Sequence, residues 1–430
     1  MTRTTFSAYR LERLSAYVRV QPGYAFASEK FTDDPSDCPL VKGENVQQGY
    51  VDWGAAKYWP QSEIDDFAAY ELRAGDVVVA MDRPWVQAGL KWAYIRQDDP
   101  RALLVQRVAR LTAKDGLDQT YLRCLISSAY FAAYVQPIVT GVNVPHISGK
   151  QIGDFLIPVP ELAVQRKIAA ILSAYDDLIT NSQRRIVLLE GMAEEIYREW
   201  FVRMRFPGWK IAKFRQGIPE RWTVMPLEAL FRTASGGTPS RTESQNFGGD
   251  VAWVKTGELK SMFVNSTEER ISTRGLESSA AKVLPKNTVV MAMYCAMPDV
   301  AILGIEAATN QACCALLPKR EALGHQWTYF FARSALGHLV NFAHGAAQQN
   351  LSQEIIRRFR ILYPGDELVE QYCDRTKALF AQIQLLSDSI GGLVQARDAL
   401  LPRLISGKLK VDHLDIRLPP SMRAEAEAVA

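Results

Sequence analysis

Two stretches, GVNVPHISGKQIGDFLIPVP at residues 141–160 and GAAQQNLSQEIIRRFRILYP at residues 345–364, are built on one frame. At a constant offset of 204, Gly141, Ser148, Ile152, Phe155, Ile157 and Pro160 meet Gly345, Ser352, Ile356, Phe359, Ile361 and Pro364. Six identities in twenty ungapped positions stand well above the roughly one in twenty that ordinary composition gives by chance. Working outward, the echo continues with a drifting offset. Val41, Lys42, Gly43 and Glu44 answer Val254, Lys255, Gly257 and Glu258, and Val78-Val79 answers Val289-Val290. The chain is a duplicated unit, suited to a partner that itself has two related halves, as duplex DNA does.

Each copy keeps one order of parts. Short β-type runs come first, among them VVVAM after Gly75-Asp76 and TVVMAM after Lys286-Asn287, apolar and β-branched with turn residues ahead of them. An aromatic-rich helical stretch comes next, YLRCLISSAYFAAYV from Tyr121 and QWTYFFARSALGHLVNF from Gln326. Beyond Pro160 the period changes. Ile168, Leu172, Tyr175, Ile179, Ser182, Ile186, Leu189, Ala193, Ile196 and Trp200 succeed one another at alternating spacings of four and three, the seam of a coiled-coil helix. Beyond Pro364 the same spacing runs through Val369, Tyr372, Thr376, Leu379, Ile383, Leu386, Ile390, Leu393, Arg397, Leu400 and Leu404.

At about 1.5 Å per residue each seam is on the order of 50 Å long. A stripe of that length does not stay in water, so either the two helices pair or each packs on its own domain. Pairing within one chain makes them antiparallel, with the globular domains at the two ends. The expected fold class is α+β, two mixed α/β domains separated by two long antiparallel helices. The expected boundaries are 1–160 for the first domain, 161–206 for the first helix, 207–363 for the second domain, 364–407 for the second helix and 408–430 for a tail, loose from Ser421.

Bulk properties agree with two globular domains. The chain has 430 residues, 48% of them hydrophobic, and a formal charge of +3, which neither demands nor excludes nucleic acid. No apolar run approaches the roughly 20 residues of a membrane span, and MTRTTFSAYR lacks a signal core, so a cytoplasmic protein is expected. The six cysteines form no C-x-x-C pair and sit near no histidine at ligand spacing, which points to buried thiols rather than to a metal site.

Catalytic patterns are missing. The sequence has neither G-x-x-x-x-G-K-[ST] nor a strand-bound G-x-G-x-x-G, and Ser235-Gly236-Gly237-Thr238-Pro239 reads as a turn. There is no Asn-Pro-Pro-aromatic tetrad for a flipped base. Glu258-Leu259-Lys260 and Pro298-Asp299 have nuclease-like shapes in the wrong order, and the five histidines are scattered. No catalytic residue, metal ligand or cofactor site is nominated.

The segments PELAVQRKIAAILSAYDDLITNSQRRIVLLEGMAEEIYREWFVRMRFPG (Pro160 to Gly208), GIPERWTVMPLEALF from Gly217, SGGTPS from Ser235, VAWVKTGEL from Val251 and LLPRLISGKL from Leu400 closely resemble the specificity subunit of Type I restriction-modification systems. PGYAFASEKF from Pro22 resembles the opening of that family's first recognition domain. The resemblance covers nearly the whole chain. It implies two target recognition domains, each reading one half of an interrupted double-stranded DNA target, and paired helices that act as spacer and docking platform. It also implies two modification subunits that methylate adenine N6 with S-adenosylmethionine, and restriction subunits that use ATP and Mg to cut. Those cofactors would belong to partners. Departures exist: the second domain is introduced by Gly217-Ile218-Pro219-Glu220-Arg221-Trp222, whereas the first begins almost at once with Tyr9-Arg10-Leu11-Glu12. An adaptor joining two protein-binding domains and a fragment of a self-sufficient methylating nuclease are the competing readings.

For base contact, Gln348, Gln349 and Asn350 in one junction loop and Asn143 in the other are suited to bidentate pairing with adenine; the alternative is that they cap the next helix. Lys42, Lys255 and Lys260 beside the repeated Gly-Glu element are candidates for phosphate, or are merely solvated. Arg357, Arg358 and Arg360 read as part of an alternating strand. Trp200, Phe201 and Met204, with Leu401 and Leu404, are candidates for the modification-subunit interface or for burial against the second domain.

Overall fold

Val77–Ala80 and Val289–Ala292, the β-branched runs of the two copies, lie at the middle of two five-stranded sheets and are buried at every position. The strand order of the first sheet is Val18–Pro22, Val108–Ala113, Val77–Ala80, Trp92–Tyr94, Gln48–Gly49. That of the second is Phe231–Ser235, Cys313–Pro318, Val289–Ala292, Val300–Leu303, Phe263–Val264. In both, the first four strands are antiparallel and the last pairs parallel with its neighbour. A smaller sheet accompanies each, centred on the parallel pair Cys38–Val41 with Ala102–Leu104, and Phe247–Val254 with Ala308–Thr309. The computed structural model describes residues 9–86, 89–139, 145–293, 299–345, 351–420 and 422, with backbone alone for 340–345.

The identities that reveal the repeat have physical reasons. Ser148 and Ser352 are the N-caps of two short helices, Gly149–Gly153 and Gln353–Arg358, their hydroxyls accepting from the amides of Gln151 and Ile355; a cap of this kind contributes about 1 kcal/mol. Ile152 and Ile356 are fully buried on the inner faces of those helices. Ile157 and Ile361 lie in strands Leu156–Pro158 and Arg360–Tyr363, which pair antiparallel with Leu11–Arg13 and Thr223–Pro226. Arg357 and Arg358 therefore close a helix and only Arg360 enters a strand, which corrects the reading of all three as one alternating strand.

Two glycines are set by backbone crowding. A Cβ on Gly23 would stand 2.2 Å from the Val105 carbonyl oxygen, and one on Gly236 would stand 1.8 Å from that of Thr309. Both sit where the first strand of the main sheet leaves to meet the small sheet, so any side chain would prise the two sheets apart. The Ser235–Pro239 stretch is accordingly not a turn but an extended crossing, in which Gly237 N–H donates to Thr309 and the Trp253 indole donates to Gly237.

The long helices run from Leu162–Tyr197, continued by a wider π-type turn over Arg198–Val202, and from Asp366–Ile405. Every residue of both expected seams is buried or half-buried. The chain divides into two packing units, Met1–Thr180 with Gly392–Ala430, and Asn181–Gly391, so each unit owns part of each long helix. In the first unit Ile168 and Leu172 share a core with Leu404, Ile405, Val411 and Met422. In the second, Ala193 and Tyr197 share one with Val369, Tyr372, Phe380 and Ile383. Asp176 meets Arg397 in one unit and the Ala193 carbonyl meets the Tyr372 hydroxyl in the other. Residue numbers rise along one helix as they fall along its neighbour, the antiparallel sense expected. The two alternatives coexist, because the helices pair and also pack on the domains: Ala169, Ala170, Ser173 and Gln165, off the seam, are buried too.

In the first unit the two long helices share a polar contact at Asp176. Its carboxylate accepts from Arg397 at 2.8 Å and from Arg123 at 3.4 Å, while Arg123 also reaches Ser173 at 2.7 Å and stacks over the Tyr94 ring. Two helices and a domain are thus tied at one residue. Removing it takes one counter-charge from each of two guanidiniums, although Arg397 keeps Asp398 at 2.9 Å. Asp176→Ala is expected to destabilise the first unit by about 2–3 kcal/mol, and Asp176→Asn by less, measured as shifts in chemical denaturation midpoint. Equal stability of Asp176→Ala and the unaltered chain would show the bridge to be incidental.

Candidate nucleic-acid interface

At one edge of each main sheet the loops are assembled by four matching backbone bonds. In the first unit Ala80 N–H donates to Lys91, Met81 to Arg107, Val105 to Val41 and Ile147 to Met81, at 3.1, 2.7, 3.1 and 2.8 Å. In the second, Ala292 donates to Asp299, Met293 to Ala312, Asn310 to Val254 and Leu351 to Met293, at 2.9, 2.8, 3.0 and 3.2 Å. The edge so built brings together the start of the Lys-Gly-Glu element, the end of the central strand, the turn before the next strand, and the residue that joins each junction loop to its capped helix. Asn143, Gln348, Gln349 and Asn350 fall in those junction loops, outside the described residues. The cap role considered for them is filled by Ser148 and Ser352.

The repeated lysines are not bare cations. Lys42 reaches Glu44 at 3.2 Å and lies over the Phe31 ring, and its own amide is capped by Asn45 at 2.8 Å. Lys255 donates to Glu268 and Glu269 at 2.9 and 3.0 Å, and those two hydrogen bonds hold it above the usual lysine range. Lys260 is exposed. Glu258, the carboxylate of the nuclease-like pattern, accepts from the backbone amides of Lys255 and Glu268 at 2.7 and 2.8 Å. It occupies the position that Asn45 holds in the first unit, a loop cap rather than a metal ligand. Among the described residues no cluster of three or more His, Cys, Asp or Glu could hold a metal ion.

The interface candidates divide. Leu401 and Leu404 are buried in the core of the first unit and offer no surface to another subunit. Trp200 and Phe201 are half-buried against the second unit's core, both edge-on to Tyr372, with Phe201 also against Trp327 and Trp222. Met204 is half-buried in a left-handed backbone conformation at the turn that ends the first helix. Exposed apolar bulk lies elsewhere on the long helices: Leu178, Val187, Leu188 and Met192 on the first and Leu385 on the second are each more than half exposed. The heptad reading, which looks for the buried stripe, passed over them.

Four cysteines and one histidine among the described residues are enclosed by the cores. Cys38, Cys124, Cys313 and Cys314 are buried, with burial pushing the first thiol up to about 11 and the others to about 12. Cys295 lies outside the described residues. His325 sits between the rings of Phe263 and Phe380, where burial pushes its imidazole down to about 4 and keeps it neutral.

A family model described as the Type I restriction modification DNA specificity domain matches residues 23–190 and again 219–390, one copy in each repeat. The chain belongs to that family. It is a Type I restriction-modification specificity subunit with two target recognition domains. The specificity subunit of the Type I restriction enzyme MjaIX of Methanocaldococcus jannaschii is 24% identical over 320 residues, covering 72% of this chain and 73% of that protein. The putative MjaX specificity subunit of the same organism is 21% identical over 389 residues, 89% of each chain. That of EcoAI from Escherichia coli is 34% identical over 168 residues, 39% of this chain and 28% of its own length. The crystal structure of the specificity subunit from M. genitalium superposes with a TM-score of 0.57 at 14% identity, covering 94% of this chain and 99% of that one. Among the described residues no single helix is long and apolar enough to cross a membrane.

Because Glu258 serves the loop and not a reaction, Glu258→Ala is expected to lower stability by about 1–2 kcal/mol through two unsatisfied amides. Glu258→Gln keeps one acceptor and should recover part of that loss. Thermal unfolding of both variants checks this, and an unshifted Glu258→Ala curve would show the capping bonds to be dispensable.

Proposed function

We propose that each domain reads one half of an interrupted DNA target through the major groove, and that the paired helices set the unread spacer and dock two modification subunits. The observation that carries this is the doubled loop edge: one frame of four backbone bonds, used twice and filled with different side chains. A rigid frame with exchangeable loops is what direct readout of two unlike half-sites requires. Readers held by a fixed spacer touch groove faces about one turn, roughly 34 Å, apart, and the base pairs between go unread. The exposed apolar residues on the long helices, Leu178, Val187, Leu188, Met192 and Leu385, support docking of partner subunits there.

On this reading methylation of adenine N6 with S-adenosylmethionine, and cleavage driven by ATP with Mg in restriction subunits, are partner activities in a cytoplasmic complex. Coexpression of this chain with a modification subunit, then genome-wide mapping of methylated adenines, is expected to yield an interrupted motif. A contiguous motif, or none, would refute the reading. Inserting one helical turn after Ile179 and another near Leu386 should lengthen the spacer while both half-sites stay the same. Altered half-sites with the old spacer would rule out the helices as the ruler.

A further inference from the structure

At the loop edge of the first unit a carboxylate, a guanidinium and an imidazole converge from distant parts of the sequence. Asp82, just past the central strand, faces His146 Nδ1 at 2.6 Å with one carboxylate oxygen and accepts from the Arg107 guanidinium with the other. Burial by itself would raise the Asp82 carboxyl, but the hydrogen bonds to His146 and Arg107 outweigh it and hold the group below the usual range. The backbones are pinned as well: Met81 N–H donates to Arg107, Ile147 to Met81, and Arg83 to Pro145 at 2.8 Å.

This arrangement is poorly explained as a stabilising device. The side chains of Arg107 and His146 are 67% and 45% exposed, with the carboxylate between them 22% exposed, and an exposed ion pair contributes only about 0–1 kcal/mol. Arg107 and Arg83 also adopt left-handed backbone conformations, φ 68° and 43°, which cost a residue bearing a Cβ on the order of 1–2 kcal/mol. The loops hold a guanidinium outward at the expense of local stability.

We propose that Arg107, oriented by Asp82 and accompanied by His146, reads a guanine in the half-site met by the first domain. The proposal rests on the DNA-reading function above. Guanine presents two acceptors, O6 and N7, to the major groove, and the fork of an arginine matches them. A carboxylate behind the fork fixes its plane before the base arrives, so less side-chain freedom is lost on contact. His146, with Nδ1 committed to Asp82, has Nε2 left for the adjoining base.

The second unit carries nothing similar at these positions. By the offsets of the framing backbone bonds (212, 205 and 204), Asp82, Arg107 and His146 correspond to Tyr294, Ala312 and Asn350. The carboxylate–guanidinium pair is thus absent from that set, and the two domains should demand different bases there.

The test is methylome mapping of the complex formed with a modification subunit, for the unaltered chain, Arg107→Ala, Arg107→Lys and Asp82→Asn. Expected is the loss of preference at one G·C pair of one half-site, roughly 5- to 150-fold for Arg107→Ala, the range of a lost bidentate contact. Asp82→Asn should give a smaller loss at the same pair, with the other half-site and the spacer unchanged. Arg107→Lys keeps the charge without the fork, and it decides the matter if the alanine variant fails to fold: loss confined to the same pair supports base reading. An unchanged motif in Arg107→Lys, or weakening spread evenly over all sites as a phosphate contact gives, overturns it. No interrupted motif from the unaltered chain would sink the DNA-reading function itself, and this assignment with it.

Discussion

The whole fold depends on covering two apolar stripes. A helix of 36 residues and another of 40 carry seams that water would penalise by about 1.5–3 kcal/mol for each exposed leucine or isoleucine. Each seam is closed partly by the other helix and partly by a domain core, so neither helix nor domain is finished without the rest. The tie is apolar along most of its length and ionic at Asp176, where partial burial makes the bond to Arg397 and Arg123 directional. A directional bond of that kind fixes which residues face each other, a register that apolar packing alone leaves free to slide.

Much of this was legible in the sequence because periodicity is local. The heptads named every seam residue, and the ungapped identities located the caps and the buried isoleucines. What stayed hidden was the second face of each helix. Ala169, Ala170, Ser173 and Gln165 are buried, yet nothing in a seven-residue pattern says that a domain will cover small and polar positions. The glycines of PGYAF and SGGTPS were visible as motifs, but the reason for them, the carbonyl of Val105 in one copy and of Thr309 in the other, exists only in three dimensions.

The interface was less legible still. Two of the lysines chosen for their place in the repeat, Lys42 and Lys255, proved to be held by neighbouring carboxylates, since a matched lysine can equally be matched in its ion pair. Trp200 and Phe201 were noticed for their bulk and are half-covered by their own unit, whereas Val187 and Leu188 are exposed. Asp82, Arg107 and His146 lie 25 and 64 residues apart along the chain. No spacing rule links them, and the changing offset between the copies conceals which positions they share with the second half.

The division of the chain has a consequence for the order of events during synthesis. Asn181–Gly391 is one unbroken stretch and can close its core once it has left the ribosome, whereas Met1–Thr180 needs the segment from Gly392 onward to fill its own. Leu404, Ile405, Val411 and Met422 are pieces of that first core. The domain made first is therefore the last to be completed, with one part of its core open until the segment from Gly392 arrives.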